Sequence, residues 1–187
     1  MRIVTAALPV GTRRRSTRKL PAELVDGDFR LADSSAIVQY LEALHPEPNL
    51  VPQEPRARGR TIWFEEYGDT VLMACGGKIF FHRVVAPLFL KRAGDAAVAD
   101  MAEREELPPV LDYLESVAPE NGFLVEDRIT LADIAIASPM ANLPYMGMRI
   151  DEQRYPRLSR YVNSILSRPS FAPWIERETE ILANVAA

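Results

Sequence analysis

The side chains able to do chemistry in this 187-residue chain are few and scattered. Cys75 is its single thiol, and His45 and His82 are its two imidazoles. One cysteine excludes an internal disulfide and a cysteine-cluster zinc site, and it suits a reducing, cytoplasmic setting. Two distant histidines without a close acidic cluster provide no metal set. Cys75 lies between apolar residues and reads as inert packing. Asp33-Ser34 places a carboxylate and a hydroxyl directly ahead of an apolar-periodic run, where both types cap helices. Thr12, Ser16 and Thr17 are hydroxyls inside a basic run without a strand pattern.

Charge narrows the function classes. The chain carries 22 basic and 26 acidic residues, a formal net charge of -4. Six of the basic residues fall within residues 1–20, which hold no acid, so the rest carries 16 basic against 26 acidic side chains. That balance argues against a dedicated nucleic-acid or anionic-membrane binder. The longest apolar stretch, 84–90, is far short of a membrane span and contains Pro87. The segment 3–10 is too short and interrupted for a signal-peptide core, so residues 1–19 read as a poorly packed basic leader.

Regular elements begin near residue 20. Residues 22–25 and 28–31 flank Asp26-Gly27, a hairpin signal in which both turn positions favour φ > 0. Ile37, Tyr40, Leu41 and Leu44 then follow the i, i+3, i+4, i+7 spacing of a helix. The proline-rich HPEPNLVP cannot extend that helix and reads as a linker, 47–54, between two units. Everything from 55 to 187 reads as helical. Trp63, Tyr67, Val71 and Ala74 form one apolar face, while Gly76-Gly77 and Pro87 are expected to bend that helix. A second stripe is Leu107, Val110, Leu111 and Leu114, with a kink expected at Pro108-Pro109. A third is Leu158, Tyr161, Val162 and Ile165, ended by Arg168-Pro169. A last helix begins near Pro173.

Thr130-Leu-Ala-Asp133 reads as a capping box with Ile129 and Ile134 as its hydrophobic staple. Its role is in folding.

Together the strings DGDFRLADSSAIVQYLE, HPEPNLVP and RITLADIAIA resemble the cytosolic glutathione S-transferases over residues 19–175. FHRVVAPLF, 81–89, is similar to a stretch of the bacterial beta-class members. The resemblance implies an α+β, mostly α chain. A partial thioredoxin-like N-terminal domain, with a hairpin and helix over 20–46, precedes an all-α bundle over 55–187. It implies glutathione as co-substrate, an electrophilic acceptor, a homodimer and a cytoplasmic protein.

The implied site follows residue by residue. Asp33 and Ser34 match the acid–Ser pair that holds the γ-glutamyl end, with capping as the plainer role. Lys19-Leu20-Pro21 matches the segment whose cis-proline exposes a backbone edge to the cysteinyl part of glutathione, although Asp26 lies one residue late; Lys19 would meet the glycyl carboxylate. His82 and Arg83 match positions facing the thiol, where an imidazole can help to ionise sulfur. Trp63 and Tyr67 are candidates for the acceptor pocket, and core packing is the alternative. The family's activating Tyr, Ser or Cys has no match in residues 1–19, which leaves the catalytic residue unassigned and His82 a weak candidate. With only 20 residues before Pro21, a complete βαβ unit does not fit. The expectation is therefore a transferase-like chain of impaired activity, with a non-catalytic dimerisation module as the alternative.

Overall fold

The computed structural model describes residues 2–4 and 23–186, and the chain divides into two compact units, Met1–Leu50 and Val51–Ala187. The expected Lys19-Leu20-Pro21 segment, Ser16 and most of the basic leader lie outside the described residues.

In the first unit, strand β1 (Arg2–Val4) pairs antiparallel with β2 (Glu23–Asp26), which pairs antiparallel with β3 (Phe29–Ala32), in the order β1-β2-β3. The β1 strand has no counterpart in the sequence reading, because three residues are too few to show a period of two. The hairpin forms with Asp26 and Phe29 as its closing pair, so its loop is Gly27-Asp28, one residue later than expected. Among the two loop residues only Gly27 has a positive φ, 61°. That is the glycine-first habit of a type II′ turn rather than the two positive angles of type I′. Helix α1 (Ser34–Leu44) follows, with Ile37 buried and Leu44 exposed. Its Tyr40 hydroxyl donates to Asp26 Oδ2 at 2.7 Å, and its ring lies 5.1 Å from that of Phe29.

The second unit is all helical among its described residues. Helix α2 (Pro55–Phe89) is followed by α3 (96–117), α4 (Leu131–Met140), α5 (Pro156–Leu166) and α6 (Ala172–Ala186). The stripes expected on α3 and α5 are buried throughout: Leu114, Leu158 and Ile165 are each 1% exposed.

The apolar face of α2 is a correction. Its buried residues are Phe64, Leu72, Cys75 and Ile79, whereas Trp63 and Val71 are 54% and 41% exposed. The core face is rotated by one residue because Gly68, not Tyr67, faces α4. A Cβ built on Gly68 would lie 2.7 Å from the Ala135 carbonyl oxygen, so only glycine permits this approach. Helix α2 also widens to π geometry at Tyr67–Leu72 and Phe81–Phe89, on either side of the α-helical stretch that holds Gly76-Gly77. The second widening contains Pro87, whose ring removes an N–H from the ladder. On α3 the π turn likewise falls at Ala102–Glu106, just ahead of Pro108-Pro109. By length and composition α2 can cross a membrane, with a mean hydropathy of 1.4 over 18 residues, a property that the short run 84–90 did not reveal.

Four helix starts in this unit are closed by carboxylates, Glu54 on α2 and Asp95 on α3 among them. Asp133, fully buried, accepts from the Thr130 N–H at 2.8 Å and from the Thr130 hydroxyl at 3.0 Å, and the reciprocal capping box is present. Its other oxygen accepts from the Leu124 N–H and the Tyr161 hydroxyl, both at 2.9 Å. Helix α5 has no such residue of its own. Glu115 of α3 reaches across and accepts from the N–H groups of Arg157 and Leu158, at 3.2 and 2.8 Å.

Candidate functional site

At the start of α1, Asp33 adopts φ 86° and ψ 127°, in the half of backbone space that side chains avoid. Its Oδ1 accepts the Ala36 N–H at 3.1 Å, so it caps the helix. Ser34 follows as the first helical residue and is exposed. A strained, non-glycine residue costs on the order of 1 kcal/mol, and such residues gather at ligand sites. The helix start adds a partial positive charge suited to a carboxylate.

In the second unit, His82 and Arg83 are held by neighbours. The Asp95 N–H donates to His82 Nδ1 at 3.0 Å, which leaves the ring proton on Nε2. Gly94 sits so close over His82 that a Cβ would fall 1.8 Å from the His82 carbonyl oxygen. Asp95 in turn caps α3 by accepting the Val98 N–H at 3.2 Å. The Arg83 guanidinium donates to Asp100 at 2.8 Å, to Glu103, and to the Met146 carbonyl at 3.2 Å. Burial works against its charge, but the hydrogen bonds to Asp100 and Glu103 outweigh it and raise its pKa. Both side chains thus fasten the turn between α2 and α3.

Trp63 and Tyr67 join an aromatic group on the outside of α2 and α3. The Trp63 Nε1–H donates to the Tyr113 hydroxyl at 3.0 Å, and the Tyr67 and Tyr113 rings lie 4.7 Å apart. Burial, with Tyr113 and Cys75 adding to it, pushes the Tyr67 hydroxyl up to about 12. Cys75 is buried, and burial raises its thiol pKa, which keeps it protonated and unreactive.

The second unit also contains an apolar cleft that the sequence reading missed. A hollow of about 140 Å³ lies between α2, α4 and the segment after α4, with Met73, Gly76, Gly77, Phe80, Met140 and Leu143 on its walls. A more open hollow of about 270 Å³ shares Phe80 and Asn142 with it and extends to Phe89, Tyr145 and Ile181. Trp63 and Tyr67 border neither. The signal for it was Gly76-Gly77: a Cβ on Gly76 meets nothing within 4 Å, so the pair leaves space on α2.

Residues 80–178 match the family model described as the glutathione S-transferase C-terminal domain. A glutathione S-transferase of Hyoscyamus muticus is 31% identical over 156 residues, covering 81% of this chain and 71% of the relative. The crystal structure of a glutathione S-transferase from Rhodospirillum rubrum superposes with a TM-score of 0.71 at 24% identity, over 81% of this chain and 68% of that one. One from Methylobacterium radiotolerans, in complex with glutathione sulfonate, superposes at 0.60 with 27% identity, over 80% and 68%. The mostly helical fold, the helical unit they share and the identity across both units lead to one conclusion: this chain belongs to the glutathione S-transferase family.

Proposed function

We propose that the chain binds glutathione at the start of α1, through Asp33 and Ser34, and conjugates it slowly to an electrophile. The strained backbone of Asp33 beside an exposed serine hydroxyl carries this reading. The carboxylate meets the ligand ammonium, while the Ser34 hydroxyl and the helix start meet the ligand carboxylate. Lys19, Leu20 and Pro21 are assigned to the glycyl and cysteinyl parts. Residues 1–22 contain no Tyr or Cys to hydrogen-bond the thiolate, and this motivates slow turnover. His82 retains Nε2 as the one atom with which it can assist the sulfur. The reading also includes a homodimer.

Calorimetry with glutathione tests the site. Ser34→Ala should weaken binding by about tenfold, the loss of one hydrogen bond to a charged group. Ser35→Ala should change it little, because the next helical residue points about 100° away. The reverse pattern would move the site by one residue.

A binding role without turnover is favoured by a separate observation: His82 Nδ1 and the Arg83 guanidinium are both engaged in structural contacts. Steady-state conjugation of the whole chain separates the two readings, since glutathione uptake with no conjugation supports binding alone.

A further inference from the structure

A further hollow of the helical unit, about 420 Å³, lies between the end of α4, the segment 143–152 and α5, with Ile175 of α6 on its wall. Its volume falls within the ~300–1,000 Å³ of small-molecule sites. It shares only Met140 and Leu143 with the inner apolar hollow and differs from it in carrying four polar side chains, Arg149, Glu152, Ser159 and Asn163.

Charge around it is unequally satisfied. Asp151 accepts the N–H groups of Gln153 and Arg154 at 2.9 and 3.2 Å, and Arg154 pairs with Asp112 at 2.9 Å. Arg157 and Arg160 pair with Glu120 at 3.2 and 3.3 Å. Arg149 and Glu152, the two charges that line the hollow, make no hydrogen bond or ion pair among the described residues, not even with each other. The backbone that carries them is fastened on both sides. The Met148 N–H donates to the Leu143 carbonyl at 2.9 Å, and the Tyr155 N–H to the Asp151 carbonyl at 2.7 Å.

Ser159 of α5 is 6% exposed and receives only a long contact from Asn163 Nδ2, at 3.5 Å. Other helix serines return their protons to a carbonyl, Ser138 to that of Ile134 and Ser164 to that of Tyr161. The Ser159 proton has no acceptor among the described residues. A buried donor without an acceptor is costly, and a ligand oxygen supplies one.

We propose that this hollow is a binding site for a free α-amino acid with a large apolar side chain. Such a ligand presents an anion and a cation on one carbon atom beside an apolar body. Its carboxylate meets Arg149 and the Ser159 proton, and its ammonium meets Glu152 and Asn163 Oδ1. Its side chain lies against Leu143, Val162, Leu166 and Ile175. A ligand with one charge would satisfy one of the two charged residues and desolvate the other.

Calorimetry on the full chain tests this with L-phenylalanine and three analogues, each lacking one feature. N-acetyl-L-phenylalanine has no ammonium, L-phenylalaninamide has no carboxylate, and L-serine has no apolar body. L-phenylalanine should bind, and each analogue should bind at least about tenfold more weakly. Arg149→Gln and Glu152→Gln should each weaken L-phenylalanine by about tenfold at an unchanged melting temperature, since neither side chain is tied to the protein. No uptake of L-phenylalanine, an analogue that binds as tightly, or an affinity unchanged in either variant would each overturn the proposal. Glutathione carries the same charged head on a polar chain and should not displace L-phenylalanine; displacement would make the hollow a glutathione site and overturn the proposal too. Ser34→Ala should leave the affinity for L-phenylalanine unchanged, so the failure of the glutathione reading and the failure of this one are read separately.

Discussion

The Tyr161 hydroxyl donates to Asp133 Oδ1 at 2.9 Å in the buried centre of the helical unit, joining α5 to the start of α4. Together with Thr130 and the Leu124 N–H, it fills the lone pairs of a fully buried carboxylate. Burial, followed by the Asp133 charge and hydrogen bond, drives the Tyr161 pKa far up, so this phenol stays a donor under all ordinary conditions.

Asp133→Ala therefore leaves several buried donors without an acceptor. The expected loss of stability is on the order of 3 kcal/mol, more than a surface capping box would give. Tyr161→Phe should cost about 1–2 kcal/mol. Urea midpoints of the two variants check both, and an Asp133→Ala midpoint equal to wild type would show that the network contributes nothing.

The sequence showed Asp133 as a cap but not as a hub. Capping is local, and its residues stand three apart. Tyr161 lies 28 positions away and appeared only as one member of an apolar stripe. The stripes of α3 and α5 were legible because each helix buries a single face. Helix α2 packs where Gly68 lets α4 approach, which turns the core face away from Trp63 and Val71. The cleft was illegible because the absence of two side chains builds it.

Alkaline stability should report on Tyr67. Its folded pKa, about 12, lies above the ordinary 10, so the protonated form is favoured by folding. Its contribution is complete below pH 10 and is lost as pH rises through 12. Tyr67→Phe should accordingly lose less stability than wild type between pH 10 and 12. Denaturant midpoints measured across that window provide the comparison, and parallel declines would refute the assignment.

Gly94→Ala places a methyl group against the His82 carbonyl, where backbone rather than a flexible side chain blocks it. Opening this turn should cost about 2–3 kcal/mol. Gly76→Ala meets open space and should stabilise the helix by up to about 1 kcal/mol. Thermal melts of the pair would separate the two glycines cleanly, and a tolerated Gly94→Ala would mean that the turn is loose.

Arg83 gives a test of stability against affinity. Arg83→Ala removes the tie to Asp100, Glu103 and the Met146 carbonyl and should lower the melting temperature while leaving glutathione affinity within twofold. A large change in affinity at constant melting temperature would place Arg83 at the ligand, as the resemblance implies.

The cap that Glu115 supplies to α5 has a kinetic consequence. Arg157 and Leu158 are 42 and 43 positions beyond it, so the first turn of α5 acquires its acceptor only after a long loop has closed. The beginning of α5 is thus expected to form late in the folding of the helical unit. Hydrogen exchange at Arg157 and Leu158 should follow the opening of α3 against α5 rather than the fraying of α5 alone.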